Sequence, residues 1–80
     1  MIYGIYSVRD DRANVYNQPF MEINDMVAMR NFDVTFHATF DHLSLYSGDL
    51  KLVRIGSFDT ETGVVSSEPH TVIKSNLPEV

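Results

Sequence analysis

Residues 50–66 constrain the fold more than any other stretch of the chain. Leu50, Leu52, Val53, Ile55 and Phe58 make an apolar, alternating run that enters the polar corner Asp59-Thr-Glu-Thr-Gly63, and Val64-Val65 leaves it. A period of two, a polar corner and a β-prone return describe two antiparallel strands joined by a short loop. Gly63 stands where such loops often need a positive φ, which glycine adopts without steric cost. The pattern predicts a hairpin of strands 50–58 and 63–66. Asp59 and Glu61 are turn and solvent-facing residues in this reading.

The remaining segments add a sheet and one helix. Residues 2–9 (Ile-Tyr-Gly-Ile-Tyr-Ser-Val-Arg) are rich in β-branched and aromatic types and predict a strand, with a turn at Asp10-Asp11. Arg12 to Tyr16 predicts a short return strand, ended by Asn17-Gln18-Pro19 because proline cannot donate to a ladder. Asn24 is a good N-cap, and Asp25 in the following turn suits the positive end of a helix dipole. Met26, Met29, Phe32, Phe36 and Phe40 then recur as one stripe, although Phe32 to Phe40 also alternates at period two. The helix formers around Met26–Arg30 favour a helix from 25 to about 37. Its phenylalanine stripe reads as packing on the sheet rather than as an interface. Residues 41–49 form a connection ending at Ser47-Gly48-Asp49, Thr71–Lys74 suggests one more short strand, and 76–80 a loose tail. The expectation is a single α+β domain over residues 1–75, with a small antiparallel sheet of three to five strands packed against one α-helix.

Composition narrows the chemistry. Eighty residues hold one small core. Such a domain is marginally stable alone, and four tyrosines with five phenylalanines supply contacts for pairing, so a homo-oligomer is expected. No cysteine is present, which removes disulfides, thiolate metal sites and thiol nucleophiles and fits a reducing compartment. No apolar run is long enough to span a membrane, and Arg9-Asp10-Asp11-Arg12 follows the first residues where a signal peptide would need an apolar core. Six basic residues stand against eleven acidic ones, a net charge of −5. Coating bare DNA needs clustered Lys and Arg, so the charge disfavours that role.

Catalytic and metal-binding motifs are not apparent. His37 and His42 are five residues apart and share no helix face, while His70 lies in a distant loop, so no metal is expected. None of the serines has a nucleophile-elbow context, Asp10-Asp11 reads as a solvated turn, and Gly4, Gly48, Gly56 and Gly63 form no phosphate cradle. Neither an enzyme nor a cofactor is expected. One constellation invites a nucleic-acid reading. Tyr6, Arg9, Arg12, Tyr16, Lys51 and Arg54 lie on or beside predicted strands, and arginine with exposed aromatics on a sheet holds single strands by stacking and phosphate contact. The bland alternative places the tyrosines in the core or rim and pairs the arginines with neighbouring acids. Arg30 lies on the polar side of the predicted helix.

Ile5-Tyr-Ser-Val-Arg-Asp10, Arg12-Ala13, Tyr16, Pro19-Phe20, Asn24-Asp25, Ala28-x-Arg30-x-Phe32 and Ile55-Gly-x-Phe-Asp59-x-x-x-Gly63 occur in that order along the chain. Together they resemble the small nonstructural protein of gokushovirus-type microviruses, single-stranded DNA phages that include the chlamydia phages. The resemblance runs from about residue 2 to 65. It departs between Val34 and Leu50, where relatives carry an Asn-(Asp/Asn)-Pro break and a Pro-x-Asp-aromatic element that this chain lacks. The resemblance implies a non-virion accessory of phage DNA synthesis in the bacterial host cytoplasm. It would act on the replication complex in the switch to single-strand synthesis and packaging, with the viral replication protein or the procapsid as partner. It transfers no site residues. Direct binding of single-stranded DNA through the Arg/Tyr face is the first alternative, and an interaction domain without a DNA role is the second.

Overall fold

The computed structural model describes residues 1–38 and 50–75, with the backbone alone over 36–38. The expected connection at 41–49 and tail at 76–80 lie outside the described residues. The elements are β1 (Ile2–Asp10), β2 (Val15–Tyr16), β3 (Phe20–Glu22), α1 (Asp25–Ala38), β4 (Leu50–Asp59) and β5 (Val65–Ser75). All strand pairings are antiparallel, in the order β2-β1-β4-β5, with β3 also paired to β1. The expected α+β class, an antiparallel sheet against one helix, is what the chain adopts.

β1 is the hub, because it pairs β4 along one side and both β2 and β3 along the other. The expected second strand at 12–16 shortens to Val15–Tyr16. Asp10 spends its side chain on a turn, accepting from the backbone N–H groups of Arg12 and Ala13, and Asn14 completes the turn at φ 64°. Asparagine tolerates this left-handed conformation better than most residues. β3 was not foreseen from the sequence. Pro19 ends one strand, yet Phe20–Glu22 immediately resumes pairing with Gly4–Tyr6.

The β4–β5 hairpin turns where the sequence predicts. Gly63 sits at φ 75°, its N–H donates to the Asp59 carbonyl, and the Glu61 N–H donates to the Asp59 carboxylate. That backbone donor is the first cause holding the Asp59 carboxyl below its ordinary range. The return strand is longer than the expected 63–66 and 71–74 pieces. Val65–Ser75 is one strand whose register slips against β4 between Arg54 and Gly56, so Glu68-Pro69-His70 form an irregular stretch inside it. Further slips occur at Ile5/Tyr6 and at Leu52/Val53. Bulges raise the local twist and bend a sheet.

One face of the sheet carries the core. Tyr6 and Val8 of β1 and Leu50 and Leu52 of β4 pack with Ala28 and Phe32 of α1, while Phe20, Met29 and Ile73 close the margins. Ala28 and Phe32, four residues apart, form the buried helix stripe. Met26, expected on that stripe, is instead 74% exposed. It lies six positions from Phe32, which places it about 240° around the helix from the packed face. Phe36 lies in α1 but its side chain is outside the described residues, as is Phe40. Asn24 caps the helix, its side-chain oxygen accepting from the Val27 N–H at 2.9 Å.

Gly4 is required by its neighbour rather than by its backbone. A Cβ there would overlap the Tyr6 ring and hydroxyl, which lie flat along the strand toward the helix start. We expect Gly4→Ala to lower stability by about 1–3 kcal/mol, the usual effect of overpacking, read as a reduced urea midpoint with an unchanged slope. An unchanged midpoint would show that the Tyr6 ring has room to move.

Candidate functional site

Strand alternation divides five of the six expected interface residues between two faces. Tyr6 and Arg54 are direct partners across β1 and β4 and point to the helix side. Arg9 lies opposite both Tyr16 on β2 and Lys51 on β4, and these three share the other face. Three residues separate Tyr6 from Arg9 and Lys51 from Arg54, an odd spacing that sends side chains to opposite sides of a strand. The single Arg/Tyr face expected from the sequence is therefore corrected to two clusters. Arg12 stands exposed in the β1–β2 turn.

On the helix side, Tyr6 is wholly buried and cannot stack on a base. Its hydroxyl donates to Asp25 Oδ1 at 2.5 Å, and Arg54 Nη1 donates to the same oxygen at 2.8 Å. Arg54 Nε donates to Glu68 Oε1 at 3.0 Å, and its guanidinium carbon lies 5.8 Å from the Tyr6 ring centre. Tyr6 itself is pushed up to about 12, first by burial and then by the Asp25 carboxylate. Asp25 is held below its ordinary range, first by the Tyr6 hydroxyl and then by Arg54. The Asp25 and Glu68 carboxylates hold Arg54 above its ordinary value. The cluster joins the first helical turn to three strands. Sequence reasoning placed Asp25 at the helix dipole but missed Tyr6 and Arg54 as its partners. Glu68 as an arginine ligand carried no local signal at all.

On the open side, Asp11 bridges two cations. Arg9 Nε lies 3.0 Å from one carboxylate oxygen and Lys51 Nζ 2.6 Å from the other. The Lys51 hydrogen bond is the main reason the Asp11 carboxyl lies below its ordinary range. Arg9 also donates to the Asn14 side chain and stacks 4.9 Å from the Tyr16 ring centre. Tyr16 meets His70 edge to face, with ring centres 5.5 Å apart and the hydroxyl 3.2 Å from Nδ1. Those two residues come from opposite edges of the sheet, β2 and β5, so the pair bridges β1 and β4. Ser7 and Val53, the partnered residues of the bridged strands, are 1% and 3% exposed. The Ser7 hydroxyl donates to the Asn17 carbonyl at 2.7 Å. His70 was read from the sequence as a loop residue; only the register slip in β5 brings it over the face.

Both clusters are ion-paired. Among the described residues no three His, Cys, Asp or Glu side chains converge in a geometry that could hold a metal ion. No described helix is long and apolar enough to cross a membrane.

Residues 3–77 match the Phage ORF5 protein family. The chain belongs to that family. The match covers β1 from Tyr3 onward, the other four described strands and the helix, including both clusters. No curated protein and no solved structure matches the chain.

The helix-side cluster sets a pH signature. Asp25 is lowered on folding, so its contribution is present above the unfolded carboxylate range near 4 and is lost as pH falls below it. Tyr6 is raised, so its contribution is complete below about 10 and is lost as pH rises toward about 12. We expect Tyr6→Phe to cost about 1 kcal/mol at neutral pH and to flatten both the acid and alkaline flanks of the stability profile. Denaturant midpoints from pH 2 to 11 check this; an unaltered alkaline flank would show that Tyr6 is not the titrating group.

Proposed function

We propose that this phage protein is a small nonstructural protein of the gokushovirus type. In this reading it serves viral DNA synthesis in the bacterial cytoplasm, outside the virion, by binding protein in the replication complex during the switch to single-strand synthesis and packaging. The partner is the viral replication protein or the procapsid. Membership of a phage family supports the viral part of the reading, and the residue pattern from Ile5 to Gly63 supports the type.

One observation carries the choice of protein over DNA as the primary ligand. Arg9, Lys51 and Arg54, the strand-borne cations of the expected DNA face, are each bound to a carboxylate. A cation neutralised by its own chain releases no counterion from DNA on binding, and counterion release provides most sequence-independent affinity. Breaking the Asp25–Arg54–Glu68 cluster would also remove one of the ties between the helix start and the sheet. The acid surplus instead suits approach to the basic surfaces that DNA-handling proteins present.

Direct single-strand binding keeps a narrower version. Tyr16 is 41% exposed with Arg9 against its ring, and Lys51 and Arg12 lie nearby. A titration with a fluorescent oligonucleotide at low salt separates the two. We expect no saturable binding in the micromolar range, whereas co-sedimentation with the phage replication protein or procapsid should retain the chain. Submicromolar oligonucleotide binding that collapses with added salt would overturn the adaptor reading in favour of the DNA one. Retention by neither DNA nor these partners would leave an interaction domain without a DNA role.

A further inference from the structure

We propose that the outward face of α1 docks an acidic segment of a partner protein, which seats an apolar side chain beside Met26 and Val34 and a carboxylate on Arg30. The inference rests on the protein-binding reading above and names the surface that does the binding.

The buried stripe of the helix is Ala28 and Phe32. Arg30 stands two positions from each, which turns it about 160° from both, to the middle of the opposite face. Met26 and Val34 lie one turn before and one turn after it in the same row. Such a face is ordinarily polar when a helix packs on one side only. Here Met26 is 74% and Val34 62% exposed, and Val27 and Met29 are half-buried on the flanks. These four and Arg30, with Lys74 of β5, line a hollow of about 480 Å³.

Charge selects the occupant. Arg9, Lys51, Arg54 and Lys74 each reach a carboxylate of their own chain. Arg30, which is exposed, has no such partner among the described residues. The acid best placed for it on the helix, Asp33 three positions on, is held instead by Lys74 at 2.6 Å. Asp25 is engaged by Tyr6 and Arg54, and Glu22 by Asn31. A partner that covered this face with apolar groups alone would bury the Arg30 charge unpaired, which is strongly unfavourable. The occupant must therefore bring an acid as well as an apolar side chain. A guanidinium can grip such a carboxylate with two parallel hydrogen bonds.

Nucleic acid fits the hollow poorly. One open cation neutralises one phosphate, whereas backbone binding sums over several. None of the described residues that line the hollow is aromatic, so a base has no ring to stack on. Methionine and arginine are residue types that protein interfaces favour. The acid surplus of the chain governs long-range approach, while this single pair fixes the register at contact.

The test measures the affinity of the full chain for the phage replication protein and for the procapsid, by co-sedimentation over a range of concentrations. Wild-type chain should bind one of them saturably. Arg30→Glu should raise that dissociation constant at least about tenfold, and Met26→Asp should raise it as well. Both positions are exposed, so the circular dichroism spectrum and the urea midpoint should stay as in wild type. Arg12→Glu makes the same change of net charge in the β1–β2 turn and should leave the constant nearly unaltered at physiological salt. Arg30→Glu or Met26→Asp binding as tightly as wild type, or Arg12→Glu weakening it as much as Arg30→Glu, would overturn the docking face and leave the protein-binding reading standing. Wild-type chain held by neither partner would overturn both.

Discussion

A single carboxylate oxygen, Oδ1 of Asp25, organises the helix side of this fold. It accepts from Tyr6 on β1 and from Arg54 on β4, while Arg54 reaches onward to Glu68 on β5. The helix begins at this residue, beside the Asn24 cap. Its position therefore does not depend on apolar contact alone, which would allow sliding along the sheet. Polar ties on the two flanks act with it, Asn31 to Glu22 on β3 and Lys74 to Asp33 on β5. The core gives most of the favourable free energy, because burial of apolar surface dominates folding. Charge-assisted hydrogen bonds, which are directional, then select one docking of the helix.

The open face follows a different logic. Its basic side chains are gathered at one end and held by Asp11, its aromatic bridge closes over Ser7 and Val53, and its other end is apolar. Two consequences belong together. The strand-borne cations Arg9 and Lys51 are engaged by Asp11, and the apolar half lies on the side against which no described helix packs.

Much of the fold was legible because its signals are local. Alternation over Leu50–Phe58, the Asp59–Gly63 corner and the Asn24-Asp25 start each depend on residues within a few positions of one another. Pairings at long range were less legible. Nothing near Pro69 announces that β5 continues through it, since the ladder there is broken by a slip rather than by an end. β3 is three residues long, and its pairing depends on the free side of β1 rather than on its own propensity. The candidate interface divided for a simpler reason. Proximity in sequence was taken as proximity on a surface, whereas parity along a strand decides which side a residue faces. The Tyr16–His70 contact, between residues 54 apart, has no sequence signature.

The central position of β1 has a consequence for synthesis. β1 is translated before its longest partner, β4, and Gly4 waits for Ser57 before its row of the sheet can close. A ribosome adds about 5–20 residues each second, so β1 spends seconds with only the short β2 and β3 as neighbours. The sheet cannot be completed strand by strand as the chain emerges. Folding of this protein is a closing of the chain's two halves on each other, and it must follow translation of most of the chain rather than accompany it.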